Sequence, residues 1–156
     1  MAHIHELIDW VAGAYIVHGD TVLLRKHDKY NVWTHVGGHV ELDEDPAEAV
    51  IRECKEEVGL DISLYDNSVQ PSVVPEHVRH LPLPSHLNIH HMGSDVDTKH
   101  QHIDLIYYAT SESNEVVPEN DDDEWMWMTA AEIKDNPDIE PFIKHYALGA
   151  LETLAS

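Results

Sequence analysis

Residues 45–59 have the apolar periodicity and the end signals of an amphipathic helix. Asp45 offers a side-chain acceptor at the cap, Pro46 stands where no amide donor is needed, and Glu48 can reach back to the cap. Gly59 supplies the matching stop. Apolar residues recur at steps of three and four, which predicts that one stripe packs on a sheet. The predicted stripe consists of Ala47, Val50, Ile51, Cys54 and Val58.

Segments rich in β-branched and aromatic residues predict strands. Residues 11–18 and 21–26 flank a glycine turn and predict a hairpin. Residues 86–92 and 100–110 predict a second hairpin, joined across residues 93–97. Shorter strands are predicted at 61–65 and 125–128.

The remaining segments predict a loop and two helices. Residues 66–84 carry four prolines without periodicity, and such a long loop is either a functional lid or a mobile segment. Thr129 and Glu132 form a capping box for a short helix that Pro137 closes. Residues 142–154 predict a final amphipathic helix. Its inward side chains are expected to be Phe142, Tyr146, Leu148, Leu151 and Leu154.

Hairpins that alternate with helices indicate an α/β sandwich. With 156 residues the chain can bury most of the surface that its unfolded form exposes, and its 42% hydrophobic content fits a globular core. We therefore expect one domain, residues 1–156.

The charge of the chain is strongly one-sided. Its 30 acidic and 9 basic residues give a formal net charge of −21. This argues against a DNA or RNA polymer as partner, because the basic surface that releases counterions is missing. A small anionic substrate would need metal ions as intermediaries. The acidity is also compatible with a saline environment, in which salt screens the self-repulsion.

The location of the protein is constrained by three further features. Cys54 is the single cysteine, so no intrachain disulfide can form. Residues 1–10 lack a basic region followed by an apolar run, so no secretory signal is predicted. No apolar stretch approaches the roughly 18 residues that cross a bilayer. We expect a cytoplasmic protein that does not enter a membrane.

Three glutamates of the predicted helix, Glu53, Glu56 and Glu57, stand at i, i+3 and i+4 and are called the carboxylate ridge below. Like charges at this spacing destabilise an isolated helix, so something must neutralise them. An acidic helix face is usually solvated, but Mg²⁺ is also held by one or two carboxylates together with waters and substrate phosphates. Gly37 and Gly38 let the backbone approach a ligand closely, and the Gly38 carbonyl can serve a hard cation.

The carboxylate ridge belongs to a longer pattern of charged and glycine positions at fixed intervals. The pattern comprises Gly38, Glu44, Arg52, Glu53, Glu56, Glu57, Gly59 and Leu60. It resembles the signature of the Nudix hydrolase family and is far more specific than a lone glycine fingerprint. Cys54 departs from it at a position that the family usually gives to an aliphatic residue, although a buried cysteine behaves as a small hydrophobe. Upstream, Trp33, Gly37 and Gly38 resemble the family's Trp-x-x-Pro-Gly-Gly segment, with Val36 where proline is usual.

The resemblance implies a Nudix-type α/β/α sandwich, in which a mixed sheet lies between the helix of residues 45–59 and the C-terminal helix. It also implies hydrolysis of a nucleoside diphosphate linked to another group, such as a nucleoside triphosphate or ADP-ribose, by attack of water on phosphorus. Mg²⁺ or Mn²⁺ would neutralise charge on the bridging and leaving oxygens and lower the pKa of the attacking water.

The matched positions also imply residue roles. Glu53 and Glu57 are expected as direct metal ligands, with Glu56 assisting. Arg52 is expected to hold Glu53 in place through a charged hydrogen bond. Glu44 is a candidate base or outer ligand, and Glu53 is the alternative base.

Substrate contacts are expected from a basic residue and from a histidine-bearing strand. Arg25 either holds the far phosphate of the substrate or is a surface charge at a strand end. Alternation places His100, His102 and Asp104 on one face of a strand, and the run HQHIDLIYY resembles one found in a subset of bacterial and archaeal Nudix proteins. His100 and His102 are candidates for substrate binding or for structural hydrogen bonds, and Asp104 for orienting a histidine. Residues 119–124, an acidic run, can add a ligand or a base.

Two other interpretations keep the same fold. A sensor would bind a nucleotide without cleaving it, but the intact acidic residues count against this. An isoprenoid isomerase would need a cysteine in the site, whereas Cys54 lies on the predicted buried stripe. The expected partner is therefore a small nucleotide substrate, and a homodimer paired through an edge strand at residues 11–18 is compatible with the sequence.

Overall fold

The computed structural model describes residues 6–27, 31–92 and 100–155, and strands and helices alternate along them as the sequence pattern predicts. In chain order the elements are β1 (Ile8–His18), β2 (Thr21–His27), β3 (Val32–Thr34), β4 (Val36–His39), α1 (Pro46–Val58), β5 (Ser63–Leu64), β6 (His86–His91), β7 (Gln101–Thr110), β8 (Trp125–Thr129), α2 (Ala130–Asp135) and α3 (Pro141–Leu154).

Strand β1 lies in the middle of a mixed sheet. It pairs in parallel with β7 from Ile8 opposite Gln101 to Val17 opposite Thr110, and antiparallel with β2 and β4 on its other side. The prediction that residues 11–18 form an edge strand is therefore wrong, since both sides of β1 already have partners. A homodimer cannot form by pairing along this strand.

The two faces of β1 belong to two different cores. Ala14 and Ile16 pack with the buried side chains of α1, whereas Tyr15 and Val17 pack with those of α3. Successive side chains of a strand point to opposite faces, so one strand serves both layers. This arrangement confirms the predicted Nudix-type α/β/α sandwich with a mixed sheet.

Helix α1 begins and ends where its sequence signals predict. The Asp45 carboxylate accepts hydrogen bonds from the Ala47 and Glu48 amides at 2.8 and 3.0 Å, and the Glu48 carboxylate accepts one from the Asp45 amide at 3.0 Å. Gly59 takes the left-handed conformation at φ 71°. One member of the predicted buried stripe is wrong, because Ile51 is 44% exposed.

Ala49 is buried in place of Ile51. The two residues flank Val50 at about 100° on either side of the helix, and the side chosen by the sheet decides which flank is covered.

One predicted inward residue of helix α3 is wrong, whereas Leu151 is buried and Tyr146, Leu148 and Leu154 are partly buried against the core, as predicted. Phe142 is 59% exposed, while Ile143, Ala147, Ala150 and Leu151 are buried. Alanines in this row let the helix approach the sheet closely, and Phe142 is left at its margin.

The loop prediction is confirmed, since residues 66–85 contain neither helix nor strand. Arg79 of this loop lies 2.6 Å from the Asp45 carboxylate at the start of α1. The predicted hairpin of β6 and β7 is antiparallel as expected, and its connection at 93–97 lies outside the described residues. No helix in the described ranges is long and apolar enough to cross a membrane.

Candidate active site

Arg52, in the middle of α1, contacts carboxylates from the helix and from the loop that precedes it. Its guanidinium donates to both Glu44 oxygens at 3.0 and 2.7 Å, to Glu53 at 2.8 Å and to Glu56 at 2.9 Å. It also donates to the His39 carbonyl at 3.1 Å, which ties the helix to β4. The hydrogen bond from Arg52 holds the pKa of the Glu44 carboxyl below its ordinary value. The contact between Arg52 and Glu53 has the geometry that an orienting role requires.

Glu57 lies deeper, and its side chain is only 13% exposed. One of its oxygens accepts a hydrogen bond from the Gly37 amide at 3.0 Å, and the other lies 2.9 Å from the Arg25 guanidinium. Burial raises the pKa of Glu57 to about 7, although Arg25 and the Gly37 amide both favour the charged form. The Glu57 carboxylate is therefore positioned by two groups from different strands.

Arg25 contacts carboxylates. Besides Glu57 it reaches Asp123, whose side chain is 3% exposed, at 3.3 Å. Asp123 comes from the acidic run at 119–124, and sequence reasoning could not single it out within that run. A role for Arg25 toward a substrate phosphate stays a prediction.

Gly37 and Gly38 leave no room for a side chain. A Cβ on Gly37 would fall 2.3 Å from the Ala12 carbonyl oxygen, and Gly37 has a φ of 155°. A Cβ on Gly38 would fall 2.6 Å from the carboxyl carbon of Glu53. The two glycines therefore bring the β4 backbone directly against Glu53 and Glu57.

The carboxylate ridge fits Mg²⁺ or Mn²⁺ by its chemistry. In the described part of the chain its three members do not bring an oxygen each within 4.8 Å of one another, because Arg52 holds Glu53 and Glu56 while Arg25 holds Glu57. Mg²⁺ commonly takes only one or two carboxylates and completes its shell with waters and phosphate oxygens. A spread ridge of this kind suits ions that arrive with a phosphorylated ligand.

Replacing Gly38 with alanine should lower activity while leaving the fold intact. The added methyl would push the flexible Glu53 carboxylate aside but would meet no backbone atom among its nearest contacts. We expect kcat/KM to fall by about 10–100-fold, as for a disturbed ligand contact, with a nearly unchanged Tm. Gly19→Ala is the control for activity, because nothing lies within 4 Å of its Cβ position. Its left-handed φ of 59° favours glycine, so this control should lose some stability but no activity. Equal activity of the two variants would contradict the role of Gly38.

A cavity of about 840 Å³ lies on the α3 side of the sheet and reaches the same glycines. Its walls include aromatic rings from two parts of the chain, Trp33 of β3 and Phe142 and Tyr146 of α3. His102 lines the cavity and is 9% exposed. His100 is not part of the lining and lies beside Asp9, 3.2 Å from its carboxylate. The structure thus brings one of the two predicted histidines into the cavity and places the other near it.

Three polar side chains deep in this cavity were not singled out by sequence reasoning as a group. Tyr15, His35 and Asp104 each have a buried atom without a hydrogen-bond partner among the described residues: Tyr15 Oη, His35 Nδ1 and Asp104 Oδ1. Asp104 contacts a histidine as expected, but that histidine is His35, at 3.2 Å. In the sequence, only the alternation of residues along β1 indicates which face of the sheet carries Tyr15. Buried polar atoms of this kind are available to a ligand.

His35 and Asp104 form a buried pair in which each side chain favours the charged form of the other. Burial opposes the charge on His35, but the Asp104 carboxylate outweighs it, and the pKa of His35 is raised above 6.5. Burial likewise opposes the charge on Asp104, and His35 nevertheless holds the pKa of Asp104 below its ordinary value. The folded protein therefore binds the His35 proton more tightly than the unfolded chain does.

This pair predicts a pH dependence of stability. The contribution of His35 is fully present below pH 6.5 and is lost as the pH rises through its raised folded-state pKa. The free energy of unfolding, measured by urea titration in EDTA, should fall across this window. In Asp104→Asn the part of this fall that comes from His35 should be absent. Glu57, with a pKa of about 7, also lowers stability as the pH rises, and it does so in the unaltered protein and in Asp104→Asn alike. The difference between their two stability curves therefore gives the contribution of His35. Parallel curves would contradict the charged pair.

Cys54 plays no chemical part in this site. It is fully buried, and burial raises the pKa of its thiol well above the ordinary value. A thiol in this state is not a nucleophile. The buried position predicted for Cys54 is therefore confirmed, and it counts against isomerase chemistry.

Comparison with known proteins agrees with the motif and the fold. A model of the NUDIX domain matches residues 9–146. A NUDIX-family hydrolase from Clostridium perfringens is 32% identical, with 93% of this chain and 97% of that chain covered and a TM-score of 0.76. A MutT NUDIX hydrolase from Burkholderia pseudomallei is 26% identical, with 96% and 100% covered and a TM-score of 0.59.

An ADP-ribose pyrophosphatase from Streptococcus suis shares the fold at 16% identity, with 93% of this chain and 90% of that chain covered and a TM-score of 0.58. Comparison with curated proteins gave no significant match. The domain match spans most of the chain, and the Clostridium perfringens hydrolase is related over nearly its whole length. The chain therefore belongs to the Nudix hydrolase family.

Proposed function

We propose that this protein is a divalent-metal-dependent hydrolase that cleaves the pyrophosphate linkage of a nucleoside diphosphate joined to another group, such as a nucleoside triphosphate or ADP-ribose. One observation carries the proposal. The segment of Gly37 and Gly38 contacts Glu57 and Glu53 and also lines the 840 Å³ cavity. A ligand in the cavity can therefore extend its phosphates past two residues without side chains to reach the carboxylate ridge.

The cavity has the properties of a small-molecule site. Its volume lies within the range of about 300–1,000 Å³ that such sites occupy, and apolar walls with a few convergent polar groups are typical of them. Trp33, Phe142 and Tyr146 offer aromatic rings on which a base can stack. The unpaired Tyr15 Oη and Asp104 Oδ1 atoms can form hydrogen bonds with the polar edge of the base.

On this proposal, the residues around the carboxylate ridge have the following roles. Glu53 and Glu57, assisted by Glu56 and the Gly38 carbonyl, would hold Mg²⁺ or Mn²⁺, which supplies charge neutralisation of the phosphates and a more acidic water when bound. Arg52 orients Glu53. Since Arg52 occupies both Glu44 oxygens, Glu53 is the better candidate for the base and Glu44 for a support of Arg52.

The experiment is a phosphate-release assay coupled to a phosphatase, over nucleoside triphosphates, ADP-ribose, dinucleoside polyphosphates and nucleotide sugars. ADP-ribose is included because the Streptococcus suis neighbour is an ADP-ribose pyrophosphatase. Reactions contain Mg²⁺ or Mn²⁺, at low and high salt, with an EDTA control. We expect hydrolysis of one substrate class that EDTA abolishes. Nucleotide binding without hydrolysis of any class would overturn the proposal in favour of a sensor.

A further inference from the structure

A second group of potential metal ligands lies on the α3 face of the sheet, away from the carboxylate ridge. Asp9 of β1 stands directly opposite His102 of β7 in the parallel pairing. His100 precedes β7 by one residue and lies two positions before His102, so both histidine side chains lie on the same side of the sheet. The pairing of β1 with β7 therefore brings together residues from opposite halves of the chain.

The ligand atoms of these three residues converge on one point. The Asp9 Oδ2 atom lies 3.2 Å from His100 Nε2 and 3.8 Å from His102 Nε2, and the two Nε2 atoms are 3.2 Å apart. Metal–nitrogen bonds of about 2.0–2.1 Å in a tetrahedron put ligand atoms about 3.3 Å apart. Two of the three separations already match this value, and the third needs to shorten by about half an ångström.

With neutral imidazoles and no cation, this convergence has room for only one N–H proton, on one of the two Nε2 atoms. A carboxylate only accepts, and two neutral Nε2 atoms 3.2 Å apart cannot both carry protons directed at it without the two N–H groups opposing each other. At least one imidazole lone pair then points to the same place as the Asp9 carboxylate. A lone pair and an anion that converge in this way favour a cation between them.

From this geometry we infer that Asp9, His100 and His102 form a binding site for one first-row transition-metal ion, with Zn²⁺ as the best match. Two imidazoles and one carboxylate are ligands of Zn²⁺ and related ions, whereas Mg²⁺ prefers oxygen alone. The side chains of Asp9 and His100 are 39% and 38% exposed, so the ion keeps open positions for water or a ligand. The site does not depend on the proposed hydrolase function.

His39 supports this site from β4 and connects it with the carboxylate ridge. Its Nε2 atom lies 3.5 Å from Asp9 Oδ2, and its ring centre lies 5.0 Å from that of His102. An imidazole next to a liganding carboxylate fixes its orientation. The His39 carbonyl accepts a hydrogen bond from Arg52, and both His39 and His102 line the cavity. The ion would therefore lie at the rim of the 840 Å³ cavity.

The test is a calorimetric titration of the full chain with Zn²⁺, after removal of metals with EDTA and in an excess of Mg²⁺ that occupies oxygen ligands. We expect one tight equivalent in the unaltered protein, with an affinity about 100-fold weaker or more in Asp9→Asn and His102→Ala. His80→Ala, which removes an exposed histidine of the long loop, and Glu57→Gln should both retain the equivalent. Co²⁺ bound at the site should give a visible absorption spectrum that Asp9→Asn abolishes.

Circular dichroism checks the fold of each variant. His102 is buried, so if His102→Ala does not fold, Asp9→Asn decides, because the partly exposed Asp9 tolerates the amide. Zn²⁺ binding by Asp9→Asn with unaltered affinity and stoichiometry would overturn the inference. So would a tight equivalent that Glu57→Gln removes, since the ion would then lie on the carboxylate ridge.

Discussion

Glu57→Gln should lower kcat by about 100-fold or more while the protein stays folded, as expected for the loss of one charged group that stabilises the reacting phosphates. Glutamine has the same shape, and its carbonyl oxygen can still accept the Gly37 amide, now 3.0 Å from Glu57. Arg25 keeps its contact with Asp123 at 3.3 Å. What the variant loses is the negative charge that a divalent ion needs.

The measurement is steady-state hydrolysis of the best substrate, together with Mg²⁺ or Mn²⁺ dependence and thermal unfolding. Glu152→Gln is the matched control, because it removes the same charge from an exposed position of α3. The control should hydrolyse at the normal rate. A normal rate for Glu57→Gln would show that the metal assignment is wrong.

Arg52→Ala should reduce both activity and stability. Without the guanidinium, Glu44, Glu53 and Glu56 lose the donor that now lies 2.7–3.0 Å from each of them, and their like charges repel. We expect a fall in kcat/KM of about 10–100-fold, the usual effect of losing a group that orients a ligand. The free energy of unfolding should fall by about 1–2 kcal/mol, because the site is partly exposed and solvent screens it.

Two further variants separate orientation from charge. Arg52→Lys keeps the positive charge but cannot form the forked contacts with Glu44 and Glu53 at once, so it should recover more stability than activity. Lys55→Ala, on the exposed side of the same helix, should leave both unchanged. Unchanged rate and stability in Arg52→Ala would contradict the orienting role.

Short-range features of the chain were predictable. The caps of α1 and α2 formed as expected, since each cap depends on residues within one turn. Strand pairings were harder to predict. The composition of residues 11–18 fits an edge strand as well as a central one. The parallel pairing with β7 shows that β1 is central.

The wrong predictions of side-chain burial also arise because tertiary packing, and not the local pattern, decides the outcome. Ile51 and Ala49 are equivalent by periodicity, and the tilt of α1 on the sheet decided between them. Phe142 fits a buried helix row as well as Ile143 does, but α3 turns Phe142 toward the cavity rim. A pattern of apolar residues predicts that a helix packs, and it leaves the rotation of the helix open by about one residue.

The sequence by itself determined the family, the position of α1 and the ridge of Glu53, Glu56 and Glu57, because helix caps and spacings of three and four residues are local properties of the chain. Tertiary structure alone decided the pairs of Arg25 with Glu57, of His35 with Asp104 and of Asp9 with His100. These contacts join segments that are remote in the chain, and a linear pattern carries no information about which distant segments become neighbours.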